Sequence, residues 1–184
     1  MTRSGLQAKI IGMNKIGHAR VDDMLGLLDP SLFRILQHAS YGKPIRSAVD
    51  LANAMGIMID RVAKTVLVSD RGRLPDHRAA EPIGSYAVVC LPSPRRINVS
   101  KVAEAFHWSG CQLASIVELE KVLGFRPGTA SPFGIGEIPL VVDESLLAFA
   151  TIFVGSGVIG LDIEIDPRDL VMVTNARVTN IAIK

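Results

Sequence analysis

The sequence predicts a single-domain α/β fold, a mixed sheet with surrounding helices, and three observations carry that expectation. Short apolar, β-branched runs alternate with capped helical segments, but without the strict strand–helix–strand repeat of a doubly wound parallel sheet. Of the 184 residues, 48% are apolar and 21% charged, a balance that can bury one core without disulfide or metal support. No apolar run approaches the roughly 20 residues of a membrane-spanning helix. Phe149 to Ile163 comes nearest, and glycines and Asp162 interrupt it.

The elements follow in order. Residues 1–28 show weak periodicity and are read as an N-terminal extension, partly helical near Met24–Leu28, ahead of a domain spanning 29–184. Arg3 and Lys9 are not followed by a continuous apolar stretch with a small-residue cleavage site, so the chain is expected to be cytoplasmic and off the membrane. Asp29-Pro30 places a capping residue before a proline at the first helical position, predicting a helix through His38 with Leu32, Phe33, Ile35 and Leu36 buried. Ser47 with Asp50 resembles a capping box, and Ala48, Leu51, Ala52 and Met55 continue at helical spacing until Gly56 ends the helix. A turn at Asp60–Ala63 leads into the β-branched strand Thr65–Val68.

Residues 70–84 read as a long polar loop or an irregular hairpin. Tyr86–Leu91 is the next strand, closed by Pro92 and Pro94. Asn98 caps a helix to about His107, Cys111–Leu113 is a short strand, and Ser115 with Glu118 opens a helix that ends at Gly124. Strands are expected at Leu140–Val142, Thr151–Val154 and Leu161–Ile165. Asp166-Pro167 starts a last helix, and Arg177–Ile183 forms a last strand.

Several chemistries are absent from the pattern: no GxSxG elbow, HExxH, Walker lysine loop or dinucleotide fingerprint occurs. Cys90 and Cys111 lie on separate strands with no CxxC, so they read as buried free thiols. His18, His38, His77 and His107 are scattered without ligand spacing, and no metal or cofactor is expected. Asp143-Glu144 reads as helix N-terminal charge. The formal net charge of +2 is small, but Arg71, Arg73, His77 and Arg78 gather in one loop and Arg95 and Arg96 in another.

The densest run of special backbone residues is Gly124-Phe-Arg-Pro-Gly-Thr-Ala-Ser-Pro-Phe-Gly-Ile-Gly136. Such a loop costs conformational entropy and gains little burial, so it is expected to shape a site. With Lys64 and Gly155-Ser156-Gly157 it suggests a pocket built from main chain, suited to polar or phosphorylated ligands.

The strings Arg-Val-Ala-Lys-Thr-Val-Leu-Val (61–68), Gly-Phe-Arg-Pro-Gly-Thr-Ala-Ser-Pro-Phe-Gly (124–134), Val-Asp-Glu-Ser (142–145) and Gly-Ser-Gly-Val-Ile-Gly-Leu-Asp-Ile-Glu-Ile (155–165) occur in that order. Together they resemble the YbaK/EbsC family, which includes the editing domains associated with prolyl-tRNA synthetase. The likeness runs from about Ser47 to the C-terminus. It implies the mixed α/β fold of those domains and hydrolysis of mischarged aminoacyl-tRNA, in particular tRNA(Pro) carrying a small wrong amino acid such as Cys or Ala. Such editing serves translation fidelity where a synthetase pocket cannot reject a smaller or near-isosteric amino acid.

By that resemblance Lys64 is the functional lysine beside the 3′-terminal adenosine and aminoacyl group, and Thr65 follows it as a substrate-binding position. Gly155, Ser156 and Gly157 are implied to bring backbone against the aminoacyl ester and to stabilise oxyanion charge. The Pro127-Gly128 turn with Ser131, Pro132, Phe133 and Gly134 forms the implied pocket wall, Phe133 serving as a core anchor or as a direct contact, and Asp162 completes the substrate-binding set. No side chain is an obvious general base, so the resemblance implies substrate-assisted chemistry with the protein orienting it. The implied partners are the 3′ acceptor end of aminoacyl-tRNA and a prolyl-tRNA synthetase; the clustered Arg71, Arg73 and Arg78 are expected to flank that end and contact its phosphates. No histidine lies near Gly155–Asp162 in sequence, where the stand-alone alanyl-specific branch has one, which favours a YbaK-like member. The alternative is a non-catalytic nucleotide- or synthetase-binding module on the same fold. A DNA-binding regulator has only the arginine loops behind it and no recognition-helix pattern, so no DNA partner is expected.

Overall fold

A computed structural model describes residues 16–71 and 85–183. The strand and helix signals assemble around a five-stranded sheet in the order β5 (Cys111–Leu113), β2 (Ala63–Asp70), β3 (Tyr86–Pro92), β6 (Leu140–Asp143), β9 (Arg177–Thr179). β5, β2 and β3 pair antiparallel, whereas β6 and β9 join in parallel, so the sheet is mixed as the sequence predicts. Every residue of β3 is buried, which explains its unbroken apolar run at the centre of the sheet.

A second, antiparallel sheet has the order β1 (Phe33–Gln37), β8 (Leu161–Ile165), β7 (Ile152–Gly155). A bridge between Val62 and Phe153 ties its edge to the start of β2. Leu123, Phe125, Phe133, Leu146, Ile152 and Ile163 are each at most 1% exposed in the main core, and Ile16, Val21, Leu25 and Leu28 belong to the same cluster.

The helices obey their caps. Ser47 accepts the Asp50 N–H at the start of α2 (Ala48–Met55), and Gly56 closes it in the left-handed region. Asn98 caps α3 (Val99–Phe106), and Asp166 caps α5 (Pro167–Thr174). A reciprocal Ser115–Glu118 box opens α4 (Ile116–Glu118), which runs on as a π turn over Leu119–Leu123 to Gly124.

Two expectations need correction. The segment after Asp29-Pro30 is a strand, not a helix. The Asp29 carboxylate instead accepts the Ser31 N–H and hydroxyl in a local turn. Phe33–Gln37 then pairs with β8 along its whole length, Leu36 facing one core cluster while Phe33 and Ile35 pack against another. A strand with both faces covered produces the apolar run that resembled a helical face. The C-terminal segment is also two strands, β9 and β10 (Ala182–Ile183), the latter paired with β4 (Arg96–Ile97). The break is held by Asp143, 2% exposed, whose carboxylate accepts the N–H groups of Ile181 and Ala182 at 2.9 and 2.8 Å. In the N-terminal segment, helix α1 spans Ala19–Leu25, slightly earlier than the expected helical stretch.

No helix among the described residues is long and apolar enough to cross a membrane. Cys90 and Cys111 are buried free thiols, with burial pushing them up to about 12 and about 11.

Candidate functional site

Where β2 begins beside the β7–β8 turn, a cleft of about 560 Å³ opens. One side is Lys64 and Thr65, another Ile45–Ala48 and Leu51, a third Pro127–Ala130, and the last Gly155, Val158–Asp162 and His38. Lys64, Thr65, Gly155, Asp162 and the Pro127-Gly128 turn, far apart in sequence, thus share one surface.

Lys64 is half-buried, and its Nζ donates to the carbonyls of Ser93, at 3.0 Å, and Arg95. An ammonium has three N–H donors, so two fix its position and one remains for a ligand. Burial lowers its pKa from the ordinary lysine range. The Thr65 hydroxyl is buried without a well-formed hydrogen bond, on a residue paired across the strands with Cys90, whose thiol it influences.

Asp162 is the one carboxylate among the described lining residues. It sits in the middle strand of the second sheet, with Leu36 opposite on one side and Gly155 on the other. His38 Nε2 lies 2.7 Å from its Oδ2, and the His38 N–H donates to Gly160. Sequence reasoning treated His38 as one scattered histidine of four. Residues 38 and 162 meet only because β1 pairs with β8, and no spacing in the sequence announces that pairing. Arg46 was also missed; it lies on the rim beside the α2 cap.

The structure does not bring the remaining expected residues to the cleft surface. Ser131 and Phe133 are 0% exposed, and Pro132 and Gly134 are buried with them. Ser131 Oγ accepts the Phe133 N–H, and Phe133 packs in the main core, so it is an anchor and not a contact. Gly134, at φ +68°, lets the α1 backbone pass: a Cβ there would meet Arg20 and Val21 main-chain atoms at 2.9 Å. Ser156 is 0% exposed, its single hydroxyl hydrogen donated to the Leu161 carbonyl at 2.8 Å, with the Val158 carbonyl 3.2 Å away, and its oxygen accepting the Val158 N–H. The Gly157 N–H already donates to Thr129 at 2.8 Å, and a Cβ on Gly157 would sit 2.9 Å from Phe125. The Ser156 hydroxyl and the Gly157 N–H are thus engaged in holding the two loops together.

Gly155 has another role. A Cβ there would lie 2.4 Å from the Ala130 carbonyl oxygen and 3.1 Å from that of Thr129, so only glycine lets the 127–130 loop close against β7. Around Gly155 the backbone therefore presents oxygen acceptors.

Arg71 follows the last residue of β2 and its N–H donates to Gly110. Seven residues of extended chain separate it from Lys64, about 23 Å, so it sits at the opposite end of the strand from the cleft. Arg73 and Arg78 lie outside the described residues. No group of three or more metal-ligating side chains occurs among the described residues.

Comparison with known proteins gives this geometry a context. The family model described as the aminoacyl-tRNA editing domain matches residues 42–173. A protein of Enterococcus faecalis named as a Cys-tRNA(Pro)/Cys-tRNA(Cys) deacylase, EbsC, is 24% identical over 139 residues, 75% of this chain and 78% of its own length. A crystal structure described as a trans-editing enzyme for prolyl-tRNA synthetase superposes with a TM-score of 0.72 at 18% identity, covering 90% of this chain and 96% of that one. Another, of the hypothetical protein APE2540, gives 0.69 at 26% identity, with 82% and 91% covered. The chain belongs to the aminoacyl-tRNA editing domain family.

Proposed function

We propose that this member of the aminoacyl-tRNA editing domain family is a deacylase that removes a small wrong amino acid, such as Cys or Ala, from mischarged tRNA(Pro). The observation that carries the reading is Lys64. A half-buried ammonium, fixed by two carbonyls, points its remaining donor capacity into a cleft that also holds a carboxylate. The names of the E. faecalis protein and of the trans-editing enzyme support the substrate class.

In this reading the 3′-terminal adenosine and its aminoacyl ester occupy the cleft. Lys64 donates to the ester oxygens, where a point charge stabilises negative charge as it develops. Water attacks the ester carbonyl carbon, the bond to the ribose oxygen breaks, and that oxygen leaves as a hydroxyl, releasing amino acid and tRNA. The substrate's own vicinal hydroxyl, or a cysteinyl thiol, assists while the protein supplies orientation. The cleft rim offers Arg46 to the acceptor-end phosphates, and a prolyl-tRNA synthetase is the natural source of the substrate.

Deacylation assays on tRNA(Pro) charged with Cys, Ala, Ser and Thr test this directly. Release of one or two of these, with prolyl-tRNA(Pro) spared, is the expected outcome. Failure on all of them leaves a nucleotide- or synthetase-binding module and overturns the deacylase.

A further inference from the structure

Gly155 and Asp162 are directly paired across β7 and β8, so their side-chain positions share one face of the second sheet. At Gly155 that position is taken by the Ala130 carbonyl oxygen, with the Thr129 oxygen next to it. The same patch of the cleft therefore gathers a carboxylate and the Ala130 carbonyl oxygen, both acceptors, while the Thr129 oxygen beside them already takes the Gly157 N–H. The cations of the lining, Lys64 and Arg46, come from other elements.

His38 sets the carboxylate. An ionised carboxylate can only accept, so at 2.7 Å the His38 Nε2 carries the hydrogen and donates to Asp162 Oδ2. The ring is itself anchored through its backbone N–H on Gly160. One carboxylate oxygen is thereby engaged, while Asp162 keeps a side-chain exposure of 19%. Charge-assisted acceptors in a half-enclosed niche select a primary ammonium, which carries three donors.

We infer that Asp162, oriented by His38 and flanked by the Ala130 carbonyl, is the receptor for the free α-ammonium of the aminoacyl group, so that the enzyme acts on unblocked aminoacyl esters and spares N-acylated ones. This rests on the deacylase reading and deepens it. The ammonium docks on Asp162 while the ester carbonyl turns toward Lys64, so the two charged groups orient the substrate between them. His38 touches no reacting atom; it is a positioning residue.

The test compares two substrates that differ only at the amine: alanyl-tRNA(Pro), which carries no thiol, free or N-acetylated with acetic anhydride. The wild-type protein should prefer the free amine in kcat/KM by about 10- to 100-fold, the range a charge-assisted hydrogen bond supplies. Asp162→Asn should bring that ratio close to one. His38→Ala should lower it part of the way, and His38→Gln, whose amide can still donate, should restore most of it. A merely structural histidine would slow both substrates alike and leave the ratio untouched. Equal wild-type rates on the two substrates, or an unchanged ratio in Asp162→Asn, would overturn the inference.

A second measurement separates it from the deacylase reading. Calorimetric binding of an amide-linked 3′-aminoacylamino-adenosine, with its amine free or acetylated, needs no turnover. Preference for the free amine, lost in Asp162→Asn, upholds the ammonium site even if no ester is cleaved. Equal affinity for both forms overturns it even in an active deacylase.

Discussion

Two glycine-bearing stretches of this molecule look alike in sequence and behave differently in space. In the 124–136 loop, Pro127–Ala130 face the cleft, whereas Ser131–Gly134 turn inward against α1 and the core. In the 155–160 turn, Gly155 faces the cleft and Ser156–Gly157 do not. Each stretch therefore has a rim half that lines the cleft and an anchored half that fixes the rim. Gly134 and Gly157 show what the anchored half asks of glycine: a left-handed backbone and room for Arg20 in one case and Phe125 in the other. The lesson is that a glycine-rich loop can owe its composition to close packing behind a site as much as to the site's own surface.

The largest effect that would break this division lies in the anchored half. Phe133→Ala should cost about 3–5 kcal/mol of stability, since a fully buried ring leaves a cavity. Denaturant unfolding measures it. A loss below about 1 kcal/mol would mean that Phe133 is not a core anchor. Gly157→Ala comes next. The left-handed backbone alone costs about 1–2 kcal/mol for a residue with a Cβ, and the approach to Phe125 adds to it. Its melting point should fall while any folded fraction keeps its relative rates on different aminoacyl groups. A variant that melts like wild type but rejects substrate would restore Gly157 to the pocket surface.

The smallest expected effect sharpens the rim. Arg46 lies on the cleft and Arg71 at the far end of β2. If Arg46 contacts an acceptor-end phosphate, Arg46→Ala should flatten the salt dependence of tRNA binding by roughly 0.7–0.9 in log–log slope, the share of one phosphate contact. Arg71→Ala should flatten it less. The reverse order would move the tRNA path to the loop after β2.

How far the sequence could be read follows the same division. Capped helices and central strands were legible because their signals are local: Ser47 with Asp50, Ser115 with Glu118, Asp166 before Pro167, and the apolar run of β3. The Asp29-Pro30 start misled because a cap signal is equally a turn signal, and pairing with β8 decided the outcome. The ordered motifs brought out Lys64, Gly155 and Asp162, which do meet in one cleft. They did not separate rim from anchor, because exposure within a loop depends on what packs behind it. His38 was invisible as a site residue for a related reason: its partner lies 124 positions away, and only strand pairing joins them.

The central claim is that Lys64 acts on substrate and does not hold up the fold, and one pair of readings on Lys64→Ala tests it. The lysine's carbonyl partners, Ser93 and Arg95, lie at a half-exposed surface where water can replace the ammonium. Deacylation of mischarged tRNA(Pro) should fall by about 10²–10³, as when a preorganised donor to a developing oxyanion is removed, while the melting temperature stays within a few degrees of wild type. The wild-type rate should also decline on the alkaline side below the usual lysine pKa of about 10.4, after subtraction of uncatalysed hydrolysis, because burial lets Lys64 lose its proton early. Full activity in Lys64→Ala, or a loss of activity that merely tracks a loss of folded protein, would contradict the account.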